Sequence, residues 1–450
     1  MRFTFPLTSL LFLFAFLSNS SAQGIEFEKG SWTEAVKKAR KQKKLLFLHF
    51  DSPSCGPCSD VVAIAFSSPL VREKFAQHFV SYRIDGTTGL GKELADKLAV
   101  ECVPSSLYLD ADENPLARQC NTTSFDRAYL EKAEEALVKS RQKPLKALAE
   151  AYEKGDRSSA LMREYIIRRR EMGLPTDDLL DTYVRQLPAD SLKSAGLSLF
   201  IFEQGAIVGS RADSIFRSNR VLNDSLYRAV GVRKAIEYNA LAVNNSIKKA
   251  ISKKNFTLAY RTASFRQRTY GTDVLNGTMA ADWVMIRYYR GTKDTLRFLM
   301  ISSHYYDRYF MNAKVDSVQK LDELDMQRRM RGTSSMTSSQ KPGSTGLVSV
   351  MPYPNTQRYV TALNQAAWDF YQMTRDTKWL TKAAEWSKRS LEFREDASLM
   401  DTYAHLLYRL GRKEEALEWQ NKAVKKEESA NSPLMGTLRE SLQKMKDGTL

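Results

Sequence analysis

Two cysteines stand three positions apart in the stretch FDSPSCGPCSD, residues 50–60, with only Gly56 and Pro57 between Cys55 and Cys58. Such a pair supports three chemistries: reversible dithiol–disulfide exchange, ligation of half a zinc site, or a static crosslink. A zinc ribbon needs a second pair at matching distance. The other two cysteines, Cys102 and Cys120, are 18 apart, and His49, His78, His304 and His405 show no H-x3-5-H spacing. No metal and no cofactor is therefore expected, and the choice between working and static sulfur rests on what positions the pair.

The elements around the pair are readable. SWTEAVKKARKQKK begins with Ser31 and Glu34 at capping-box spacing and puts Trp32, Ala35, Val36 and Ala39 on one helical face. LLFLHF, residues 45–50, is a short apolar run without helical period, which predicts a buried central strand. PCSDVVAIAF then reads as a helix with Val61, Val62 and Ala65 on one side, and Pro57 suits its first turn because the missing N–H costs nothing there. The cysteines are thus expected at a helix N-terminus. Unpaired backbone N–H groups and the positive end of the helix dipole favour a thiolate at that place, lowering a cysteine pKa from ~8.5 to roughly 3.5–7.5. Cys55 is the expected nucleophile, and Cys58, one turn inside, the residue that resolves the mixed disulfide.

Compartment matters for this chemistry. MRFTFPLTSLLFLFAFLSNSSAQ has an early positive charge at Arg2, an apolar run from Leu7 to Leu17 and small residues before Gln23, the pattern of a signal peptide ending at Ala22. The apolar run is shorter than the ~20 residues a bilayer span requires. A periplasmic or secreted protein is expected, with no integral membrane segment after cleavage and with the 55–58 pair able to cycle as a disulfide. Removing Arg2 takes the formal charge from +16 to +15. Export argues against nucleic acid as the partner of this charge, and runs such as KKARKQKK read as solvated helix faces. A run such as Arg168, Arg169 and Arg170 is expected to be able to meet anionic lipid. With 43% hydrophobic and 27% charged residues, the composition is that of a folded chain, and 450 residues allow two to four domains.

Beyond the pair, FVSYRID (79–85) reads as a strand, GKELADKLAV (91–100) as a helix, SSLYLD with PLARQC as a hairpin around ADEN, and SFDRAYLEKAEEAL as a helix. With CGPC after an apolar strand and VPSSLYLD about fifty residues later, residues 24 to about 140 resemble the thioredoxin superfamily, and its secreted branch most closely. The resemblance implies an α/β thioredoxin fold over 24–142 and thiol–disulfide exchange with client proteins. It also implies a cis proline at Pro104, with Val103 and Pro104 docking a peptide beside Gly56 and Pro57. Client proteins with thiols or disulfides, and a redox partner supplying or accepting electrons, are the implied partners.

Three features depart from the family pattern. Six positions before the first cysteine, where the family usually has a buried acid, stands His49, either a proton acceptor near neutral pH or a satisfied core residue. Asp51, two residues on, is the alternative base. Ser54 replaces the family's aromatic residue before the first cysteine, so the rim of the site is less apolar. Cys102 lies two residues before Pro104. Four cysteines allow three pairings; 55 with 58 is favoured, and Cys102 and Cys120 are expected as buried free thiols because the hairpin sets Cys120 opposite Ser105.

From about residue 145 strand signals become scarce and amphipathic stretches alternate with breaks at Gly155, Gly173 and Pro188, predicting an all-α array over 145–330. LSLFIFEQGAIVG is ambiguous between buried helix and strand, and YYRGTKDTLRFLMISSHYYDRYF reads as aromatic core. Residues 331–356 are expected to be a flexible linker or loop, because 331–354 are dense in Ser, Thr, Gly and Pro. Over 357–450, Ala383 to Trp386 aligns with Ala416 to Trp419 at an offset of 33, and the segment resembles tetratricopeptide repeats. Two functions follow as expectations: an exported thiol–disulfide oxidoreductase whose helical region docks a client or partner, or a non-catalytic binding protein using the thioredoxin fold as scaffold.

Overall fold

The computed structural model describes residues 24–51, 62–98, 100, 102–334, 353–428 and 434–450. The expected leader at 1–22 and the dithiol segment with Cys55, Gly56, Pro57 and Cys58 lie outside the described residues. The chain divides into two compact units, Met1–Lys154 with Glu171–Gly173, and Gly155–Arg170 with Leu174–Leu450.

In the first unit, helix α1 (Trp32–Gln42) starts on a complete capping box. The Ser31 hydroxyl accepts from the Glu34 N–H at 3.3 Å, and the Glu34 carboxylate accepts from the Ser31 N–H at 2.7 Å. Strand β1 (Leu45–Asp51) follows, then helical residues 62–66, α2 (Pro69–His78), β2 (Phe79–Asp85) and α3 (Gly89–Lys97). The last of these ends at Lys97, three residues before the expected position 100. The hairpin β3 (Ser105–Leu109) and β4 (Pro115–Cys120), α4 (Asp126–Lys139) and α5 (Leu145–Glu153) complete the unit. The sheet order is β2-β1-β3-β4, with β1 parallel to β2 and antiparallel to β3, and β4 antiparallel to β3.

The β1 sequence lacks polar alternation because both of its faces are covered. Leu46, Leu48 and Phe50 join Trp32, Ala35 and Leu94 on one side. On the other, Phe47 packs with Phe66, Phe75, Tyr108 and Tyr129. The hairpin forms where ADEN predicts it, with the Asp110 carboxylate accepting from the N–H groups of Asp112 and Asn114 at 2.9 and 2.8 Å.

At the far end of the hairpin the expectation of two free thiols fails: Cys102 and Cys120 form a disulfide, with Cα atoms 5.8 Å apart. Ser105 does pair with Cys120 as expected. The chain bends at residues 102–104, however, so Cys102 turns back toward Cys120 instead of continuing the line of β3. Neither sulfur-bearing residue is buried.

The second unit is helical throughout its regular elements. The ambiguous segment is the helix Ala195–Gln204, which buries Leu197, Phe200, Ile201 and Phe202 around its circumference and ends on Gly205 at φ +63. The aromatic stretch is core, as expected, with Tyr288, Tyr305, Tyr306 and Phe310 buried. Residues at both ends of the expected 331–356 linker are helical, because one helix runs Val315–Ser334 and the next opens at Pro354; residues 335–352 lie outside the described residues. The helices Pro354–Met373, Thr377–Phe393, Ala397–Arg409 and Lys413–Glu428 follow with loops of three residues between them. Nor is the arginine run a free basic patch. Arg168 is buried, Arg169 donates to the Pro175 carbonyl at 2.9 Å, and Arg170 donates to the Glu203 carbonyl at 3.0 Å. Among the described residues no helix is long and apolar enough to cross a membrane.

Candidate functional site

In the sequence, CGPC falls between Asp51, the last residue of the central strand β1, and Val62, from which the chain is helical. Four of the expected site residues, His49, Asp51, Val103 and Pro104, are described around that strand end. His49 is 1% exposed. Register sets its neighbours: it pairs with Ser106 on one side and Arg83 on the other. Its Nδ1 lies 2.9 Å from the Ser106 Oγ, and the edge of the Phe66 ring meets it at 5.2 Å between centroids. Asp51, two residues on, shares its face of the strand, and Nε2 of His49 lies 3.5 Å from Asp51 Oδ1. That distance is too long for a good hydrogen bond; among the described residues Nε2 has no hydrogen-bond partner. Arg83 reaches diagonally across from β2 to form an ion pair with Asp51.

Pro104 is buried at the head of β3, the Val103–Pro104 peptide is cis, and the Pro104 carbonyl accepts from the Asn121 N–H at 3.2 Å. Val103 sits over Gly86, whose N–H donates to the Asp51 carbonyl at 2.9 Å. A Cβ at Gly86 would stand 3.0 Å from Val103 Cγ1 and 3.1 Å from Phe50 Cβ, so the absent side chain lets Val103 settle against the end of β1. The structure thus gathers His49, Asp51, Val103 and Pro104 at one end of the sheet, with the Cys102–Cys120 disulfide directly beside Pro104.

Residues 27–111 match the family model described as thioredoxin-like. The first unit has a thioredoxin fold. A solution structure of a proposed disulphide-isomerase from Bacteroides thetaiotaomicron is 28% identical, and the match covers 28% of this chain and 99% of that one with a TM-score of 0.24. No curated protein matches the chain.

Within the thioredoxin-like domain the two titratable groups differ sharply. Burial pushes the His49 pKa down from its ordinary 6.5 and so favours the neutral imidazole, against the pull of Asp51 toward the charged form. For Asp51 burial works toward a higher pKa, but the His49 and Arg83 contacts outweigh it and hold the carboxyl at about 2. Asp51 is therefore an anion with little appetite for a proton, and His49 a neutral ring with one nitrogen on Ser106 and the other beside that anion. Sequence reasoning passed over Ser106, Arg83 and Gly86. Ser106 and Arg83 required the antiparallel β1–β3 and parallel β1–β2 registers, which no local pattern reveals.

Proposed function

We propose that the protein is an exported thiol–disulfide oxidoreductase acting on protein disulfides through Cys55 and Cys58. What supports this reading is the place of CGPC in the sequence of the thioredoxin-like domain, after the central strand that ends at Asp51 and before the helical residues from Val62, with the cis Val103–Pro104 peptide just before β3. Cys55 attacks one sulfur of a client disulfide as the thiolate, forming a mixed disulfide and expelling the client's other sulfur as a thiolate. Cys58 then gives up its proton and attacks the Cys55 sulfur, which releases the reduced client and leaves Cys55–Cys58 oxidised. A redox partner returns two electrons and two protons to close the cycle, or removes them if the domain runs as an oxidant. His49, kept neutral by burial, takes the Cys58 proton, while Asp51 stabilises the imidazolium so formed without itself becoming protonated. Gly56, Pro57, Val103 and Pro104 present backbone to the client chain. The helical unit, whose residues 357–450 resemble tetratricopeptide repeats, docks a client or partner, and the setting is the periplasm or the exterior.

Trapping tests this reading. Cys58→Ala leaves Cys55 able to attack but removes the resolving sulfur, so a mixed disulfide with a client accumulates and dissolves on reduction. Adding Cys55→Ser to that variant abolishes it. A Cys58→Ala protein that captures nothing through Cys55 in its native compartment removes the enzymatic reading and leaves the non-catalytic binding protein.

A further inference from the structure

Helices of the second unit enclose a cavity of about 270 Å³ whose lining includes three guanidinium groups: Arg266, Arg287 and Arg358. Each is held by a neutral partner. Arg266 donates to the Tyr270 hydroxyl at 3.1 Å, Arg287 to the Asn244 amide oxygen at 2.9 Å, and Arg358 to the Met279 sulfur at 3.4 Å. Among the described residues none of the three forms an ion pair with a carboxylate. Two nearby acids are already engaged, Asp282 by the Tyr309 hydroxyl at 3.1 Å and Asp273 by the Asn276 amide at 2.7 Å. Among the described residues, three like charges line one small cavity without a carboxylate in contact with any of them, and partial burial pushes the Arg287 pKa down, against the charged form. An oxyanion relieves both costs. Guanidinium carries five N–H donors in a planar fork suited to carboxylate or phosphate, and the neutral partners named above use one donor on each arginine.

The walls are aromatic as well as basic. Tyr270, Trp283 and Tyr305 also line the cavity. Trp283 is 42% exposed and its ring lies 5.8 Å from that of Tyr305. A large apolar ring left open beside a charged cavity is a surface on which a planar group can stack. The volume suits a small molecule more than a folded segment.

We infer that this cavity binds a small aromatic oxyanion, an aryl phosphate or aryl carboxylate, whose charged group sits among Arg266, Arg287 and Arg358 and whose ring lies against Trp283. The site is built from the second unit alone and does not depend on the cysteine pair. Titration calorimetry and tryptophan fluorescence on the full chain test it, with phenyl phosphate, benzoate, inorganic phosphate and neutral phenol as probes. Saturable binding of phenyl phosphate or benzoate is expected, with the stronger of the two identifying the oxyanion. Inorganic phosphate should bind about tenfold more weakly, phenol should not bind, and added salt should weaken the interaction. Arg287→Gln should weaken binding about tenfold. Because Arg287 is partly buried, Arg358→Gln serves as the second variant: this side chain is exposed, and its loss should cost severalfold in affinity with an unchanged circular-dichroism melt. Trp283→Leu should bring the aryl ligand down to the affinity of inorganic phosphate. Absence of saturable binding by either aryl anion at millimolar concentration, or affinities indifferent to both arginine substitutions, would overturn the site; equal affinity for phenyl phosphate and inorganic phosphate would overturn the assignment of an aromatic ligand.

Discussion

Among single residues, His49 and Asp51 share one face of a strand, and the pKa values of both are held low. The consequence for pH is one of sign. The unfolded chain takes up a proton on His49 near its ordinary 6.5, while the folded chain resists until its own lower pKa, so stability falls as the pH drops below about 6.5. Asp51 adds a second loss as the pH falls from 3.8 toward about 2, where the folded carboxylate finally protonates. His49→Gln is expected to flatten the decline between about pH 7 and pH 5, read as hydrogen-exchange protection of the β1 amides. Equal slopes in the two proteins would contradict the assignment. His49 was legible as a departure from the family pattern, but its environment was not: the Ser106 hydroxyl, the Phe66 edge and the Asp51–Arg83 pair come from three other elements, and only strand register brings them together.

Among elements, those with both a period and a cap were readable in advance. The capping box of α1, the unbroken apolar run of β1 and the ADEN hairpin each carry a local reason for their shape, and each forms. The helix Ala195–Gln204 could not be told from a strand because burial around its whole circumference erases the helical period. The Cys102–Cys120 bridge was hidden for another reason. Reasoning from the hairpin extends β3 in a straight line, whereas the chain bends over residues 102–104. This bridge closes a loop between positions 18 apart, for which loop-closure entropy gives about 3 kcal/mol of stabilisation. A Cys102→Ser, Cys120→Ser double variant should lower the stability of the thioredoxin-like domain by that amount, measured as the fall in its unfolding free energy in urea. An unchanged free energy would show that the bend holds without the bridge.

Across the whole molecule, a thioredoxin-like domain and a large helical unit share one chain, and the second is held together by its own contacts. One of its internal ties is the bidentate pair in which Arg290 donates to both Asp369 oxygens at 2.8 Å, with Gln365 adding a third bond at 3.0 Å. Asp369 is 5% exposed, and burial raises its pKa despite these partners. Arg290→Met leaves a buried carboxylate without its cation. The expected loss is about 2 kcal/mol, below the 3–5 kcal/mol of a fully buried pair because Arg290 itself reaches solvent; calorimetric melting of the helical unit checks it, and a variant as stable as the parent would make the pair dispensable. Dithiol exchange at Cys55 and Cys58 is read out by reduction of insulin with a small dithiol as electron source. The intact protein and the Cys102→Ser, Cys120→Ser variant should both accelerate precipitation of the insulin B chain, and Cys55→Ser should fall to the rate of the dithiol alone. An intact protein no faster than that background, or a Cys55→Ser protein as fast as the parent, would contradict the assignment of dithiol exchange to Cys55 and Cys58.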